Sequence, residues 1–207
     1  WLDLPTTTEQ VQAALRQIGI SSDNPQSLFI SGYFAEEEKR FAIPYNLVLA
    51  SNVDELNFLA ARLETLSAGE RAELNAALQA PRSELFSIGR ITDFPENVDY
   101  YVHLLDVHGP AQLGDYYLNR SGMVDMPEEW KGGIDTAQFG RYVAQQEQGA
   151  FTQYGYLVKS GDEWQKVHEG QPVPEEYRVL SFPAPEVLRD AANIPPPVQP
   201  ETEPQKV

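Results

Sequence analysis

A fifteen-residue amphipathic stretch, NVDELNFLAARLETL at residues 52–66, constrains the fold of this chain more than any other segment. Its apolar residues recur at steps of three and four, which places them along one face of an α-helix. Asn52 suits the N-cap, because its side-chain oxygen can accept an N–H group left open at the helix start. Glu55 can reach back to complete a capping box. The stretch therefore predicts a helix that buries one face against the rest of the fold.

Five further helices are predicted from caps and apolar spacing. Ser67 and Glu70 repeat the capping box, Pro81 ends the helix that follows them, and Asp135 is a suitable N-cap for the last helix. The predicted segments are residues 6–18, 67–80, 83–89, 111–120 and 136–148. Two segments are expected to connect elements without regular structure, namely residues 41–51 and 121–133.

Strands are predicted where apolar and polar residues alternate, mostly towards the two ends of the chain. In the second half, FTQYGYLVK and DEWQKV flank Ser160 and Gly161, which predicts a β-hairpin that turns at these two residues. The segment VHLLDVHG at residues 102–109 fits either a strand or a helical turn. The other predicted strands lie at residues 1–4, at residues 28–34 and, as an edge strand, within residues 172–182.

This order of elements predicts an elongated α+β fold, in which small mixed α/β modules flank a helical middle. The proline-rich end, PPPVQPETEPQKV, is typical of an extended tail without core-forming residues. Because the chain opens on Trp1 rather than Met, we expect part of the native N-terminus to be missing. The predicted bounds are residues 1–51 for that module, 52–100 for the helical middle, 101–182 for a C-terminal module with the hairpin, and 183–207 for the tail.

Acidic residues outnumber basic ones along the whole chain, and the net charge is −16. There are six acids against three bases in residues 1–51 and nine against four in residues 52–100. There are seven against three in residues 101–150 and nine against five in residues 151–207. A surface of this kind repels nucleic acid and anionic membranes and attracts basic partners. High solubility is the simpler interpretation of the same charge.

Several classes of protein do not fit the composition. The chain has no cysteine, no signal-peptide pattern at its start and no apolar run close to the roughly 20 residues of a membrane-spanning helix. We therefore expect a cytoplasmic protein that binds neither nucleic acid nor membrane. The aromatic residues of the hairpin could form a stacking platform for single-stranded nucleic acid, but the basic residues are too few and too scattered for that function.

The sequence contains no recognisable catalytic or cofactor-binding motif. His103 and His108 are five residues apart and would not share a helix face, so no metal site is predicted from them. Carboxylate pairs are frequent, and a hydrolase needs only two, yet the sequence favours no particular pair. We therefore predict a protein that is not an enzyme and has no cofactor, and a carboxylate-dependent hydrolase remains an alternative.

Several segments, taken in their order along the chain, resemble one family. They are WLDL at the start, TTTEQVQAALRQIGI at residues 6–20 and VDELNFLAARLETL at residues 53–66. LGDYYLNRSG at residues 113–122, PEEWKGGIDTAQFGRYV at residues 127–143 and the aromatic hairpin follow. Over roughly residues 1–167 this order resembles the ArdA antirestriction proteins of plasmids and conjugative elements, such as conjugative transposons. The family usually begins with a strand and a turn before the equivalent of Trp1, so the resemblance implies that the first strand of the N-terminal module is missing. The extension beyond about residue 168 lies outside the resemblance.

The resemblance implies an acidic, mostly dimeric α+β protein that mimics double-stranded DNA. Its carboxylates would stand in for phosphates, and the protein would occupy the DNA-binding groove of type I restriction–modification enzymes. Inhibition of this kind needs no catalytic residue. A non-inhibitory acidic interaction module of a mobile genetic element is the main alternative. The carboxylates in the matched regions are the candidate partner-binding residues: Asp54, Glu55, Glu64, Glu70, Glu73, Asp93, Glu96, Asp99, Asp106, Asp115, Asp125, Glu128, Glu129, Asp135 and Glu147.

Overall fold

The computed structural model of the 207-residue chain describes residues 1–20, 30–34, 41–81 and 83–180. Three segments lie wholly outside these residues. Residues 21–27 are a cluster of turn-forming residues around Pro25 that predicts a turn, and the three glutamates at residues 36–38 predict a solvated loop. The third segment is the proline-rich tail at residues 183–207. The rest of the sequence-based interpretation can be compared with the structure element by element.

Helices dominate the described part of the chain, and a small antiparallel sheet accompanies them, which confirms the α+β class. None of the helices there is long and apolar enough to cross a membrane. The domain bounds stay a prediction. In chain order the helices are α1 Thr8–Gln17, α2 Tyr45–Leu49, α3 Val53–Glu64, α4 Ala68–Gln79, α5 Ile88–Thr92, α6 Pro110–Asp115, α7 Glu128–Lys131 and α8 Thr136–Glu147.

The central pair of helices, α3 and α4, follows the sequence closely. Asn52 accepts from the Glu55 N–H and Glu55 accepts from the Asn52 N–H, so the predicted capping box is confirmed. Ser67 and Glu70 form the second predicted box at the start of α4. The apolar faces of both helices join one core cluster with α5 and the sheet. Removing these faces from water is the main source of stability for this part of the fold.

The sheet has three strands in the order β1–β3–β2, all antiparallel to their neighbours: β1 Tyr101–Leu104, β2 Ala150–Thr152 and β3 Gly155–Lys159. The ambiguous segment at residues 102–109 therefore begins as a strand. Tyr101 lies opposite Lys159, and Leu104 lies opposite Tyr156. Tyr156 is fully buried, and it packs with Val107 and Leu113 in a second cluster under α6 and α8. The sheet thus connects the helical middle to the α6–α8 part of the fold.

The two strands predicted near the N-terminus are wrong as far as the structure describes them. Residues 1–4 and 30–34 have no strand conformation, and Leu28 and Phe29 lie outside the described residues. A strand needs a partner for its backbone hydrogen bonds, and the described sheet pairs only β1, β2 and β3. Leu2 instead packs beside Val11 and Leu15 of α1, whereas Trp1 and Leu4 are exposed.

Three short helices differ from the sequence-based prediction. Helices α2 and α7 lie in the segments expected to be irregular, and each follows a proline, Pro44 or Pro127, whose fixed φ suits the residue before a helix. The helix predicted at residues 83–89 is wrong, because the Ser87 hydroxyl accepts the Arg90 N–H and the helix begins only at Ile88. The predicted helix at residues 111–120 is confirmed, and it ends in a π-helical turn, Tyr116–Arg120.

The hairpin is formed by β2 and β3, and its turn precedes β3, whereas the sequence predicted a turn after this strand. Its turn joins Thr152 to Gly155, where Gly155 has a φ of +121°, a value that residues with a side chain rarely adopt. The Thr152 hydroxyl accepts the Tyr154 N–H and donates to the Gly155 carbonyl. Ser160 and Gly161 follow the end of β3, and the segment DEWQKV forms no strand. Its residues turn towards the helical middle, where Trp164 packs edge to face on Tyr100.

The edge strand predicted within residues 172–182 is also wrong in its described part. Residues 175–177 form a single 3₁₀ turn, Glu175–Tyr177, and residues 178–180 are irregular. The reason is a side chain: the Asp54 carboxylate on α3 accepts both the Val179 N–H at 2.7 Å and the Leu180 N–H at 2.9 Å. In an edge strand, these N–H groups would instead donate to the carbonyl groups of a neighbouring strand.

Candidate functional site

All but one of the candidate carboxylates fall into four groups according to what each side chain contacts. The first group consists of exposed carboxylates that accept no hydrogen bond and form no ion pair within the described part of the chain. Such groups are hydrated and keep their charge available for a cation on another molecule. We call them the open carboxylates: Glu64, Asp99, Asp106, Asp125 and Glu129.

The second group forms ion pairs at the surface. Glu96 pairs with Arg62, Asp115 with Arg120 at 3.1 Å, and Glu128 with Lys131 at 2.6 Å. Exposed pairs of this kind contribute only about 0 to 1 kcal/mol, because water screens both charges. Their carboxylates could therefore exchange an internal cation for one supplied by a partner at little cost.

The third group caps helices. Glu55 and Glu70 close the capping boxes of α3 and α4, and Asp135 accepts the Gln138 N–H at 3.0 Å at the start of α8. Hydrogen bonds from Ser67 to the Glu70 carboxylate lower its pKa, because they favour the ionised form. These three residues have a structural role that any helix of this kind would need, and they can still carry surface charge.

The fourth group is committed to the interior. Asp93 is fully buried, and its carboxylate accepts the His168 N–H at 2.6 Å and the Glu169 N–H at 3.2 Å. Asp54 holds residues 179 and 180 in the same way. Because their oxygens already accept backbone N–H groups, Asp54 and Asp93 are poorly placed to bind a cation on a partner.

The carboxylate of Glu147, near the end of α8, accepts hydrogen bonds from two tyrosine hydroxyls. Tyr117 donates to one carboxylate oxygen, and Tyr156 donates to the other at 3.0 Å. Burial, followed by the nearby Glu147 charge, raises the pKa of both tyrosine hydroxyls. Each hydroxyl consequently keeps its proton and remains a donor to the carboxylate. This arrangement joins α6, α8 and β3 by polar contacts rather than creating a reactive site.

Glu73 on α4 belongs to none of these groups. One of its carboxylate oxygens is buried and has no hydrogen-bond partner among the described residues. Burial, together with the negative charges of Glu70 and Asp99, raises the pKa of Glu73 to about 8. A carboxyl group of this kind is largely protonated at neutral pH, so it adds little to the charge that a cation would encounter.

The raised pKa of Glu73 predicts a specific dependence of stability on pH. The folded protein keeps a proton that the unfolded chain loses above its ordinary pKa of 4.5, so stability should fall as pH rises from about 4.5 to about 8. The variant Glu73→Gln lacks this ionisation. We expect its melting temperature to exceed that of the wild type at pH 9 and to approach it at pH 4.5.

Melting curves of both proteins between pH 4 and 9 measure this difference. Glu64→Gln is the matched control, because Glu64 is an exposed glutamate on the neighbouring helix α3. A difference between Glu73→Gln and wild type that stays constant across this range would contradict a buried, protonated Glu73.

Sequence reasoning missed a set of buried polar side chains that fasten the C-terminal segment, which we define as residues 160–180. Asn97 accepts the Gln165 N–H at 2.7 Å and donates to the Gln165 carbonyl at 2.9 Å. Asn57 on α3 donates to the Tyr177 carbonyl at 3.0 Å and accepts the Thr6 N–H at 2.6 Å. The only available signal was an asparagine within the apolar pattern of α3, and that signal does not indicate a partner 120 residues away.

A cleft of about 730 Å³ lies between the C-terminal segment and the starts of α3 and α5. Phe58 and Ile88 contribute to its apolar side, whereas His168 and Arg178 line it from the C-terminal segment. The other histidines lie elsewhere: the His103 ring contacts the Tyr154 carbonyl at 2.7 Å, and His108 is exposed beyond β1. The three histidines of the chain therefore do not converge on one site.

The chain matches a known protein family. The family model described as "Antirestriction protein (ArdA)" matches residues 1–158, which is more than half of the chain. No curated protein matches the chain. The match includes all fifteen candidate carboxylates and ends within β3, so the C-terminal segment lies beyond it.

Proposed function

Given that the chain belongs to the ArdA family of antirestriction proteins, we propose that it inhibits type I restriction–modification enzymes as a mimic of double-stranded DNA. Its surface carboxylates take the place of phosphates in the basic groove of the enzyme. Binding is stoichiometric, and no bond is made or broken. Antirestriction function and interaction with restriction–modification enzymes follow from the family; mimicry, the type I target and the residues involved are the proposal.

The observation that carries this proposal is the set of open carboxylates together with the distributed negative charge. A partner that binds DNA presents lysine and arginine side chains, and the open carboxylates can meet these cations without breaking an internal contact. Duplex DNA carries about one charge per 1.7 Å of its axis, so a net charge of −16 corresponds to about 27 Å of duplex. This length suits a decoy that covers part of a DNA-binding groove.

We also propose that the active form is a homodimer. Two copies carry twice the charge and correspond to about 54 Å of duplex, which matches a longer stretch of a DNA groove. Sedimentation equilibrium of the full chain measures this directly. A monomer at concentrations that inhibit the enzyme would contradict it.

The proposal predicts that inhibition weakens gradually as the open carboxylates are neutralised. Each exposed ion pair contributes about 0.5 kcal/mol, so neutralising all five should weaken inhibition roughly a hundredfold, while each single change should have a small effect. The measurement is the inhibitor concentration that halves DNA cleavage by a type I restriction enzyme. The five substitutions are Glu64→Gln, Asp99→Asn, Asp106→Asn, Asp125→Asn and Glu129→Gln.

A control variant neutralises four exposed acids of the C-terminal segment, which lie beyond the residues matched by the family: Asp162, Glu163, Glu175 and Glu176. We expect this variant to inhibit nearly as well as the wild type. Equal losses in both variants would mean that total charge matters rather than the place of the open carboxylates. Complete loss from one substitution in an otherwise folded protein would favour a hydrolase instead.

A further inference from the structure

Three side chains that can ligate metals meet where the C-terminal segment crosses the end of α5. Their ligand atoms, one oxygen each from Asp93 and Glu96 and one imidazole nitrogen of His168, all lie within 4.8 Å of one another. We propose that this cluster binds a divalent transition-metal ion, with Zn²⁺ or Mn²⁺ as the ions that best match its ligands. His168 lies beyond the residues that the family model matches, so the site does not follow from family membership.

Two of the three ligands, Asp93 and His168, are held in place by contacts that leave lone pairs available for a metal ion. The Asp93 carboxylate accepts the N–H groups of His168 and Glu169, and each of its oxygens keeps a lone pair for a metal. The His168 ring packs edge to face on Phe58, with ring centres 5.0 Å apart. Such supporting contacts fix the orientation of metal ligands and limit the entropy lost when an ion binds.

The donor set determines the class of ion. An imidazole nitrogen suits Zn²⁺ and its neighbours, whereas carboxylate oxygens also suit Mn²⁺. Bonds of about 2.0 to 2.2 Å to the ion place ligand atoms about 3 to 4 Å apart, so rotations of the Glu96 and His168 side chains are sufficient to close the site. Water completes the coordination, because the protein supplies only three ligands.

The charges around the cluster permit a cation to bind. The two carboxylates offset the charge of a divalent ion, and one of them, Glu96, also forms an ion pair with Arg62. Glu96 can keep Arg62 on one oxygen while its second oxygen turns to the metal, as carboxylates commonly do with two cations. His168 also lines the 730 Å³ cleft, which gives a hydrated ion a path to the cluster.

A bound ion would connect the turn at residues 93–96 to the C-terminal segment by coordinate bonds. It would therefore stabilise the folded protein against unfolding, in proportion to its free concentration relative to its dissociation constant. Two of its ligands, Asp93 and His168, are not among the carboxylates expected to meet a partner, whereas Glu96 belongs to the surface ion pairs, so the metal-binding test is made on the protein without the restriction enzyme.

The test is titration of the metal-free full chain with ZnCl₂ and with MnCl₂, followed by calorimetry and by melting temperature. We expect the wild type to bind one ion per chain and its melting temperature to rise when the ion binds. Either substitution, His168→Gln or Glu96→Gln, should weaken binding of the tighter of the two ions about tenfold or more. His108→Gln is the matched control, because His108 is exposed and outside the cluster; it should bind like the wild type.

Three results would overturn the proposal: no binding of either ion by the wild type, unchanged affinity in both ligand variants, or an equal loss in His108→Gln. The last result would mean binding by scattered surface histidines. Circular dichroism of the metal-free variants separates a lost ligand from a lost fold, and Glu96→Gln keeps the test valid if His168→Gln does not fold.

Discussion

Replacing Gly140 by alanine is expected to destabilise the protein by at least about 3 kcal/mol, or roughly 10 °C in melting temperature. Gly140 lies on α8 where this helix crosses α6, and the two backbones touch. An added Cβ would lie 1.8 Å from the Pro110 carbonyl oxygen and 2.8 Å from the Gly114 nitrogen. Backbone atoms cannot rotate away as a flexible side chain can. The helices would have to separate, and the cluster around Leu113 and Tyr156 would lose its packing.

Urea unfolding followed by circular dichroism measures this loss. Gly132→Ala is the matched control, because Gly132 has a φ of −63°, a value any residue adopts, and a Cβ there would have open space. It should change stability by less than about 0.5 kcal/mol. If Gly140→Ala is as stable as this control, the close crossing of α6 and α8 is wrong.

Replacing Asp93 by asparagine is expected to cost about 3 kcal/mol and to loosen the C-terminal segment. The substitution keeps the shape of the side chain but puts an NH₂ group where an oxygen accepts a backbone N–H. At least one of the two donors, the N–H groups of His168 and Glu169, then loses its partner in a buried place. The charge that strengthens both hydrogen bonds is also lost.

Hydrogen exchange distinguishes this effect from a general loss of stability. In Asp93→Asn the N–H groups of residues 168 and 169 should exchange much faster, whereas those of α8 should change only in proportion to the loss in global stability. Asp106→Asn, an exposed aspartate without a hydrogen bond or ion pair among the described residues, is the control and should behave as the wild type. Unchanged exchange at residues 168 and 169 would contradict the role assigned to Asp93.

The sequence was most informative where local chemistry determines structure. Helices α3 and α4 followed from apolar spacing and from capping boxes at Asn52 and Ser67, since both signals act within four residues. The start of α8 at Asp135 followed for the same reason. The family resemblance was likewise carried by short segments in a fixed order, and the family is confirmed.

Predictions failed where distant parts of the chain decide the outcome. The turn before Gly155 looked like the middle of a strand, because the aromatic residues around it continue the alternation. The strand expected near residue 179 is absent because Asp54, 125 residues earlier, binds its backbone. Charge alone could not distinguish Asp93, which is buried, from Asp99, which is exposed, since both residues carry the same side chain. The two side chains differ in their surroundings, and these surroundings are determined by the fold.

This distinction changes how the acidity of the chain is interpreted. Part of the excess negative charge stabilises the protein itself: Asp54 and Asp93 hold the C-terminal segment, and Glu147 joins two tyrosines. The proposed mimicry therefore depends on fewer carboxylates than the composition suggests. The open carboxylates and the surface ion pairs are the ones expected to meet a partner.

The most direct test of the central claim is competition with DNA. The protein is titrated into a type I restriction enzyme bound to labelled duplex, at low and at raised salt concentration. We expect displacement of the duplex at low salt and weaker displacement as salt rises, because basic groups of the enzyme exchange counterions for carboxylates. If the folded protein displaces no DNA at any salt concentration, the claim that it mimics DNA is contradicted.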